Sequence, residues 1–297
     1  MLKLVIPKGS LEEGTFSLFK QANLPVIRES FRDYTVRIND VRIAEVMILR
    51  PQEIPEYVAD GTFDLGVTGL DWIMEREREK DVKIIDDLKF AKKSWNKVKI
   101  VLACQADNPV ARAEEVPKES RVVTEYPNLT KRYFKERGIQ VSVKLSYGAT
   151  EPKVPKIADF LVDVTETGET LKANNKKIVA VLLESSTKLI ANPNSYQNPD
   201  KRQAIDEINS LLQGVIRAQE ASLIKMNVAE SNLKALLKEV PAMKAPTVSQ
   251  LMINGDSEQW YALETVVQQK ELSRLIPLFK RLGACDILEL KLRKVIP

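Results

Sequence analysis

Apolar and mixed segments alternate through the first two thirds of the chain, which is the pattern of an α/β sheet protein. Mostly apolar segments, typical of buried strands, lie at residues 2–6, 41–49, 63–67, 98–103, 121–124, 141–145, 157–164 and 178–183, the last continuing into 187–191. Apolar residues at helical spacing predict helices at residues 11–22, 51–60, 128–137 and 201–221. Ser10 and Glu13 predict a capping box at the first helix, and the polar residues 192–201 predict a loop.

From residue 222 onward the pattern changes to a different unit. Strand-like segments at 222–227, 247–251, 259–267 and 286–292 alternate with helix-like segments at 230–238 and 272–282. This order, βαββαβ, is that of the ferredoxin-like unit, which is common in small-ligand regulatory modules. The pattern therefore predicts a separate carboxy-terminal domain, although the fold alone does not define its function.

Composition excludes several classes of function. The 45 basic and 41 acidic residues are interspersed and leave a net charge of +4, which disfavours a nucleic-acid coat protein but leaves room for a locally basic pocket. Cys104 and Cys285 are far apart, which argues for a reducing compartment and against a disulfide scaffold or a cysteine-rich zinc site. The chain has no histidine, so a Ser-His-Asp triad, histidine-ligated zinc and imidazole acid–base catalysis are all excluded.

The sequence also predicts a cytoplasmic protein without a membrane partner. The first seven residues read as a short strand rather than a signal peptide, because they lack a long apolar core and a small-residue cleavage site. No apolar run reaches the roughly 20 residues that a bilayer-spanning helix needs.

The segment DVTETGETL at residues 163–171 contains the most informative chemistry. An apolar strand runs into a loop of hydroxyls with one glycine, and a short helix is predicted to begin at Leu171. Backbone amides at a helix start, together with hydroxyls, favour an anion, so Thr167, Gly168 and Thr170 suit a terminal phosphate. An ordinary strand-to-helix turn has the same composition, and spacing alone leaves both interpretations open. The segment is not a Walker loop, because it lacks the glycine-lysine pair.

This segment has the form acidic-x-x-x-Thr-Gly-x-Thr and resembles the 5-phosphoribosyl loop of phosphoribosyltransferases. Followed by Lys172-Ala-Asn174, it is similar in particular to the loop of the ATP phosphoribosyltransferase family, the first enzymes of histidine biosynthesis. Four further segments agree with that family in order along the chain: IPKGSL at 6–11, LRPQEIP at 49–55 with DLGVTG at 64–69, TEYPNLT at 124–130, and PTV at 246–248 with Gly283-Ala284. Five collinear motifs are far more specific than one.

The resemblance implies a fold and an assembly. The expected fold is two periplasmic-binding-protein-like α/β lobes that form a catalytic core, followed by a ferredoxin-like, ACT-like domain. Lobe I is expected at residues 1–97 and 184–220, lobe II at 98–183, and the regulatory domain at 221–297. The resemblance also implies homo-oligomers, namely dimers and hexamers.

The reaction implied by the resemblance explains the missing histidine. N1 of ATP attacks C1 of 5-phosphoribosyl 1-pyrophosphate, pyrophosphate leaves, and N1-(5-phosphoribosyl)-ATP forms. The attacking ring nitrogen has no proton to lose, so no strong base is required. Positioning of the substrates and neutralisation of pyrophosphate by Mg²⁺ and by Arg or Lys side chains should dominate catalysis. Magnesium prefers oxygen ligands and usually arrives with substrate phosphates.

Residues of the matching motifs receive roles from the same resemblance. Lys8, Arg32 and Arg50 are expected to act on the polyphosphates, since a guanidinium can bind two oxygens at once. The phosphoribosyl loop supplies Asp163, Glu166, Thr167, Gly168, Glu169 and Thr170, and further substrate contacts are Gly9, Asp64, Thr68, Gly69 and Glu151, with Glu151 also a Mg²⁺ ligand. Each of these residues has a plainer alternative, as a solvated surface charge, an exposed ion pair or a structural cap.

In the last domain, Thr247 is the expected contact for histidine as feedback inhibitor, because the chain resembles the long form of the enzyme. The alternative is a strand begun by a proline, with no ligand. Two positions depart from the family pattern. Ser10 stands where an arginine often follows the Lys-Gly pair, and Glu169 stands where a small uncharged residue is usual. A catalytically weak regulatory paralogue and a bilobed small-molecule binding protein remain the alternative functions.

Overall fold

The fold is described from a computed structural model that covers residues 1–90, 97–252 and 258–296. Residue contacts divide the chain into two units. The first unit comprises residues 1–20 and 24–209, and the second comprises residues 21–23 and 210–297. Among the described residues, no helix is both long enough and apolar enough to cross a bilayer.

The first unit contains two sheets, and the first of them forms the centre of lobe I. Its six strands are β1 (Leu2–Pro7), β2 (Thr35–Val36), β3 (Ile43–Leu49), β4 (Leu65–Gly69), β5 (Lys83–Asp87) and β11 (Thr187–Ala191), in the order β2-β3-β1-β4-β11-β5. Strand β1 is parallel to both β3 and β4, so the carboxyl ends of these three strands lie at one edge. Helices α1 (Glu12–Gln21), α2 (Ile54–Ala59) and α3 (Leu70–Glu75) belong to this lobe.

The second sheet forms the centre of lobe II. Its strands are β6 (Val98–Gln105), β7 (Ser120–Thr124), β8 (Val141–Leu145), β9 (Phe160–Thr165) and β10 (Lys176–Ser185), in the order β10-β6-β9-β7-β8. Helix α4 (Pro127–Glu136) follows β7, and helix α5 (Glu169–Ala173) follows β9. One apolar cluster includes Phe134 of α4 and Phe160 of β9, and another includes Leu161 of β9 and Leu171 of α5. Because neighbouring residues of a strand point to opposite faces, β9 is buried on both sides.

The chain passes from lobe II back to lobe I at a single residue. The sequence pattern predicts one strand at 178–183 that continues into 187–191, but the structure divides this run into β10 of the second sheet and β11 of the first. Ser186 lies between the two strands, and its hydroxyl donates to Asp87 Oδ2 at 2.9 Å. Apolar periodicity does not report which sheet a strand joins, so the hydrophobic pattern alone did not show this division.

Two local predictions were wrong for identifiable reasons. The region 192–201 contains helix α6 (Pro193–Gln197) and the start of α7 (Pro199–Gln219). The side chain of Asn192 caps α6 by accepting from the amides of Asn194 and Ser195 at 3.0 and 3.1 Å. At the first helix, the amide of Gly9 donates to Glu12 Oε2 at 3.2 Å, so Glu12 replaces the predicted Ser10–Glu13 capping box.

The second unit contains a four-stranded antiparallel sheet. Its elements are β12 (Ala221–Ala229), α8 (Glu230–Glu239), β13 (Thr247–Gln250), β14 (Trp260–Gln268), α9 (Gln269–Arg281) and β15 (Cys285–Lys291). The strand order is β13-β14-β12-β15, and the helices share a core with the sheet that includes Leu236, Leu263 and Phe279. The predicted βαββαβ arrangement is therefore confirmed, and the chain combines two α/β lobes with a ferredoxin-like domain.

Candidate active site

A cleft of about 620 Å³ lies in the first unit, where residues from both lobes meet. Lobe I lines it with the turn after β1, the loop after β3 and the start of α3. Lobe II lines it with the carboxyl end of β9 and with the segments that follow β7, β8 and β9. The crossover residues Ser185, Ser186 and Thr187 complete the lining. Strand ends and the loops after them therefore converge on one cavity, as is usual for ligand sites of α/β sheets.

The predicted phosphoribosyl loop lies at this cleft. Glu166, Thr167 and Thr170 line it, while Gly168 and Glu169 form the turn into α5. Gly168 has φ +83°, a left-handed conformation that glycine adopts without strain, and its amide donates to Thr165 Oγ1 at 2.9 Å. The loop is thus closed by its own hydrogen bonds. Glu169 is exposed and is not among the residues that line the cleft, so the carboxylate of this departure from the family pattern lies outside the lining.

Asp163, at the end of β9, is held in place inside the cleft. It accepts hydrogen bonds from the Thr150 hydroxyl and from the amide of Val164, the latter at 2.7 Å. Burial raises the pKa of Asp163, and the nearby carboxylates of Glu151 and Glu125 add to this effect. Glu151 also lines the cleft, in the short 3-10 turn that follows β8.

The predicted cationic residues Lys8 and Arg50 lie in an adjoining pocket of about 420 Å³. Gly9 also lines this pocket, which shares Ser10, Pro51 and Gln52 with the cleft. The Lys8 ammonium donates to the Tyr34 hydroxyl at 3.0 Å and lies 4.3 Å from the centre of its ring. This hydrogen bond lowers the pKa of Tyr34. Positive charge therefore lies beside the cleft rather than in its lining.

Thr68 and Gly69, at the end of β4, shape the cleft in different ways. Thr68 is buried, and its hydroxyl donates to the carbonyl of Pro51 at 2.8 Å, which fixes the loop that begins at Arg50. Gly69 lines the cleft itself. A Cβ on Gly69 would lie 2.2 Å from Asp71 Oδ1, so the carboxylate occupies the space that any other residue would fill. Thr68 therefore fixes the loop after β3, and the missing side chain of Gly69 leaves room for the Asp71 carboxylate.

Asp64 and Arg32, both predicted to contact substrate or its phosphates, line neither the cleft nor the adjoining pocket. Asp64 precedes β4 at the end opposite Gly69, is 4% exposed, and accepts from Lys201 Nζ at 2.7 Å and from Ser195 Oγ at 2.6 Å. These bonds give the Asp64 carboxylate a structural role. Arg32 lies on an exposed loop before β2, and Thr247 lies on the exposed strand β13 of the second unit.

Sequence reasoning missed the polar residues at the base of the cleft. Asp71 of α3 is 6% exposed, and its carboxylate accepts from Ser185 Oγ at 2.5 Å and from the Tyr126 hydroxyl at 2.9 Å. Burial raises the pKa of Asp71, and burial next to this carboxylate raises the pKa of Tyr126 well above its usual value. The sequence did contain a signal. Residues 185–187 are three consecutive hydroxyl residues between two apolar stretches, and Asp71 comes two residues after a motif glycine.

The charge of the cleft defines what it can bind. Among the described residues that line it, five are carboxylates (Asp71, Glu125, Glu151, Asp163 and Glu166) and none is lysine or arginine. Carboxylate oxygens are the ligands that Mg²⁺ prefers. The described part of the chain nevertheless has no group of three or more acidic or cysteine side chains spaced to hold a metal by themselves. The donor set therefore fits a divalent cation that arrives with phosphate oxygens of a substrate.

Comparison with known proteins gives a consistent result. A family model described as ATP phosphoribosyltransferase matches residues 50–214, and one described as HisG, C-terminal domain, matches residues 218–294. The ATP phosphoribosyltransferase of Pelotomaculum thermopropionicum is 44% identical, and that of Desulforudis audaxviator 45%, each over 100% of this chain and 99% of the relative. A solved ATP phosphoribosyl transferase (HisG:HisZ) complex from Thermotoga maritima contains a chain that is 30% identical, with a TM-score of 0.62, covering 73% of this chain and 99% of that chain.

Proposed function

Since this chain belongs to the family of ATP phosphoribosyltransferases of histidine biosynthesis, we propose that its cleft is the place where N1 of ATP displaces pyrophosphate from 5-phosphoribosyl 1-pyrophosphate. The single observation that supports this placement most strongly is the loop 163–171. It lies at the cleft with the hydroxyls of Thr167 and Thr170 in the lining and with Gly168 in the conformation that the turn requires. The pentosyl donor would bind in lobe II, with its 5-phosphate at this loop.

The chemistry of the loop suits a phosphate monoester. Amides in the first turn of a helix have no carbonyl partner within the helix, and α5 begins at Glu169, directly after the glycine. Hydroxyl donors at Thr167 and Thr170 add hydrogen bonds to phosphate oxygens without adding charge. Asp163, the first residue of this segment and still within β9, would then bind the ribose hydroxyls of the donor, because a carboxylate accepts hydrogen bonds from hydroxyls.

The adjoining pocket would receive the polyphosphates. Lys8 and Arg50 line it beside Gly9, and the shared residues Ser10, Pro51 and Gln52 place it next to the cleft. An ammonium and a guanidinium stabilise the negative charge that grows on departing pyrophosphate. Arg32, on the exposed loop before β2, joins this proposal as a further polyphosphate contact.

Mg²⁺ belongs to the same proposal. The carboxylate of Glu151 would hold it in the cleft, and the acidic lining there supports a cation that comes with the phosphates of the donor. When bound, Mg²⁺ neutralises phosphate charge and favours departure of pyrophosphate.

The reaction needs positioning more than proton transfer. The attacking nitrogen is neutral and loses no proton, so the absence of histidine removes nothing that the step requires. The carboxylates of the cleft would stabilise positive charge that develops on the ribose ring, and the neighbouring cations would stabilise the leaving group. Holding two substrates at reacting distance would supply much of the rate enhancement.

Regulation, assembly and location complete the proposal. Thr247 on strand β13 would contact histidine as a feedback inhibitor in the carboxy-terminal domain, and the chain would assemble into dimers and hexamers. The match of residues 218–294 to the C-terminal domain of the family supports a long-form enzyme. A cytoplasmic location is part of this proposal and agrees with the two unpaired cysteines.

The test follows pyrophosphate release from purified protein given ATP, the pentosyl donor and Mg²⁺. Replacing both Thr167 and Thr170 with valine should raise the KM for the donor on the order of 100-fold, because each hydroxyl bonded to a charged phosphate contributes about 1.5 kcal/mol. Thr62→Val is the matched control, since Thr62 is exposed before β4 at the end of the strand opposite the cleft. An unchanged donor KM in the double variant would refute the assignment of the loop. Wild-type protein that binds the donor without turnover would instead indicate a regulatory paralogue.

A further inference from the structure

Helix α3 of lobe I makes several polar and aromatic contacts with one short segment of lobe II, residues 126–129. Asp71 and Glu75 are four positions apart, so their side chains share one face of the helix. Asp71 accepts from the Tyr126 hydroxyl at 2.9 Å, and Glu75 accepts from the amides of Asn128 and Leu129 at 3.1 and 2.9 Å. The two bonds to Glu75 provide hydrogen-bond acceptors for amides at the start of α4. One face of α3 therefore holds the beginning of α4.

Aromatic packing reinforces the same contact. The Trp72 ring stacks on the Tyr126 ring with centroids 4.6 Å apart. Asp71 also receives the Ser185 hydroxyl at 2.5 Å, and its own amide donates back to Ser185 Oγ at 3.0 Å. Ser185 is the last residue of β10, immediately before the crossover between lobes. Asp71 therefore bonds both to Tyr126 at the start of α4 and to Ser185, the residue after which the chain crosses to lobe I.

A series of contacts continues from Tyr126 to the proposed donor site. Glu125, the preceding residue, accepts from the amide of Gly148 at 3.0 Å. Gly148 begins the lining loop that includes Glu151, and the Thr150 hydroxyl in this loop donates to Asp163. The path from α3 to Asp163 therefore alternates short covalent steps with hydrogen bonds. A shift of Tyr126 would be transmitted to the residues that face the donor.

We propose that Asp71, through its bond to the Tyr126 hydroxyl, is a positioning residue that sets the register of lobe II against lobe I during phosphoribosyl transfer. This inference rests on the proposed function of the cleft. The proposed polyphosphate contacts, Lys8 and Arg50, belong to lobe I, and those proposed for the 5-phosphate of the donor belong to lobe II. Loss of the bond should leave the binding of each substrate alone nearly intact but should misalign the two reacting atoms.

The expected signature is a fall in kcat without a matching rise in either KM. Displacements of about 1 Å can cost on the order of 100-fold in rate, so a partial loss of register should lower kcat by about tenfold. A purely structural bond would also lower the melting temperature but would leave the kcat of the folded fraction unchanged. The KM values and the kcat therefore separate the two roles.

The experiment compares Tyr126→Phe with Tyr133→Phe in steady-state kinetics, with binding of ATP and of the donor each measured alone. Tyr126→Phe keeps the ring that stacks on Trp72 and removes only the hydroxyl, whereas Tyr133, also buried, lies farther along α4 and takes no part in the Asp71 contact. Tyr126→Phe should lower kcat about tenfold with both dissociation constants changed less than about threefold, and Tyr133→Phe should match the wild type.

Asp71→Asn provides the second variant. Because the two residues act through one bond, adding Tyr126→Phe to Asp71→Asn should lower kcat little further. Additive losses, an unchanged kcat in Tyr126→Phe, or a loss confined to one KM would each overturn the inference while leaving the proposed function standing. Absence of turnover in the wild-type protein would overturn both together.

Discussion

Replacement of Gly69 by alanine tests how tightly the base of the cleft is packed. Gly69 has φ −78° and ψ 146°, angles that alanine adopts freely, so the change causes no backbone strain. The added Cβ, however, would lie 2.2 Å from Asp71 Oδ1, which is far inside van der Waals contact. The carboxylate must then leave its position and give up its bonds to Ser185 and Tyr126.

The size of the effect follows from the bonds lost. Two hydrogen bonds to a buried charged group, at about 1.5 kcal/mol each, amount to about 3 kcal/mol of lost stability. For a unit of this size, that loss corresponds to a fall in melting temperature of about 6–12 °C. Urea denaturation followed by circular dichroism, with calorimetry for the melting temperature, measures both quantities.

The same substitution in an Asp71→Ala variant tests whether the clash with Asp71 causes the loss of stability. In Asp71→Ala the carboxylate is absent, so Gly69→Ala should then cost less than about 0.5 kcal/mol, and the restriction of the unfolded chain favours a small gain in stability. If Gly69→Ala costs less than about 1 kcal/mol in the wild-type protein, the packing argument is refuted. Equal losses in the two backgrounds would also refute it, because the clash with Asp71 would then not be the reason.

Two further predictions concern residues outside the cleft lining. Burial acts to raise the pKa of Asp64, but hydrogen bonds from Lys201 and Ser195 outweigh it and lower the pKa. A carboxyl whose pKa is lower in the folded protein than in the unfolded chain contributes stability above its unfolded pKa of about 4. This stability is lost as the pH falls through the folded-state pKa. The melting temperature of the wild type should therefore fall more steeply between about pH 7 and pH 3 than that of Asp64→Asn. Parallel pH profiles would contradict this. Glu169→Ser should leave the donor KM within about twofold of the wild type in steady-state assays, because Glu169 is not among the residues that line the cleft. A marked fall in the donor KM would mean that its carboxylate faces the ligand.

Much of the fold was readable from local pattern. The alternation of apolar and amphipathic segments predicted most strands and helices, and the βαββαβ order after residue 222 was confirmed. The pattern did not predict several of the short elements. Strands β2 and β5 and helix α3 are brief, and their residues lack the long periodic runs on which such predictions depend. Helix α3, which bonds to lobe II through Asp71 and Glu75, is among these omissions.

The sequence by itself determined the family and the composition of the phosphoribosyl loop, because the order of Thr167, Gly168 and Thr170 after a strand is a local property. Only the tertiary structure decided which strand ends face one cavity. It places Asp64 at the end of β4 opposite Gly69, and it brings Asp71 to Tyr126 across 55 positions of chain. Contacts between distant residues depend on strand order and on the crossover at Ser186, and neither leaves a periodic signal in the chain.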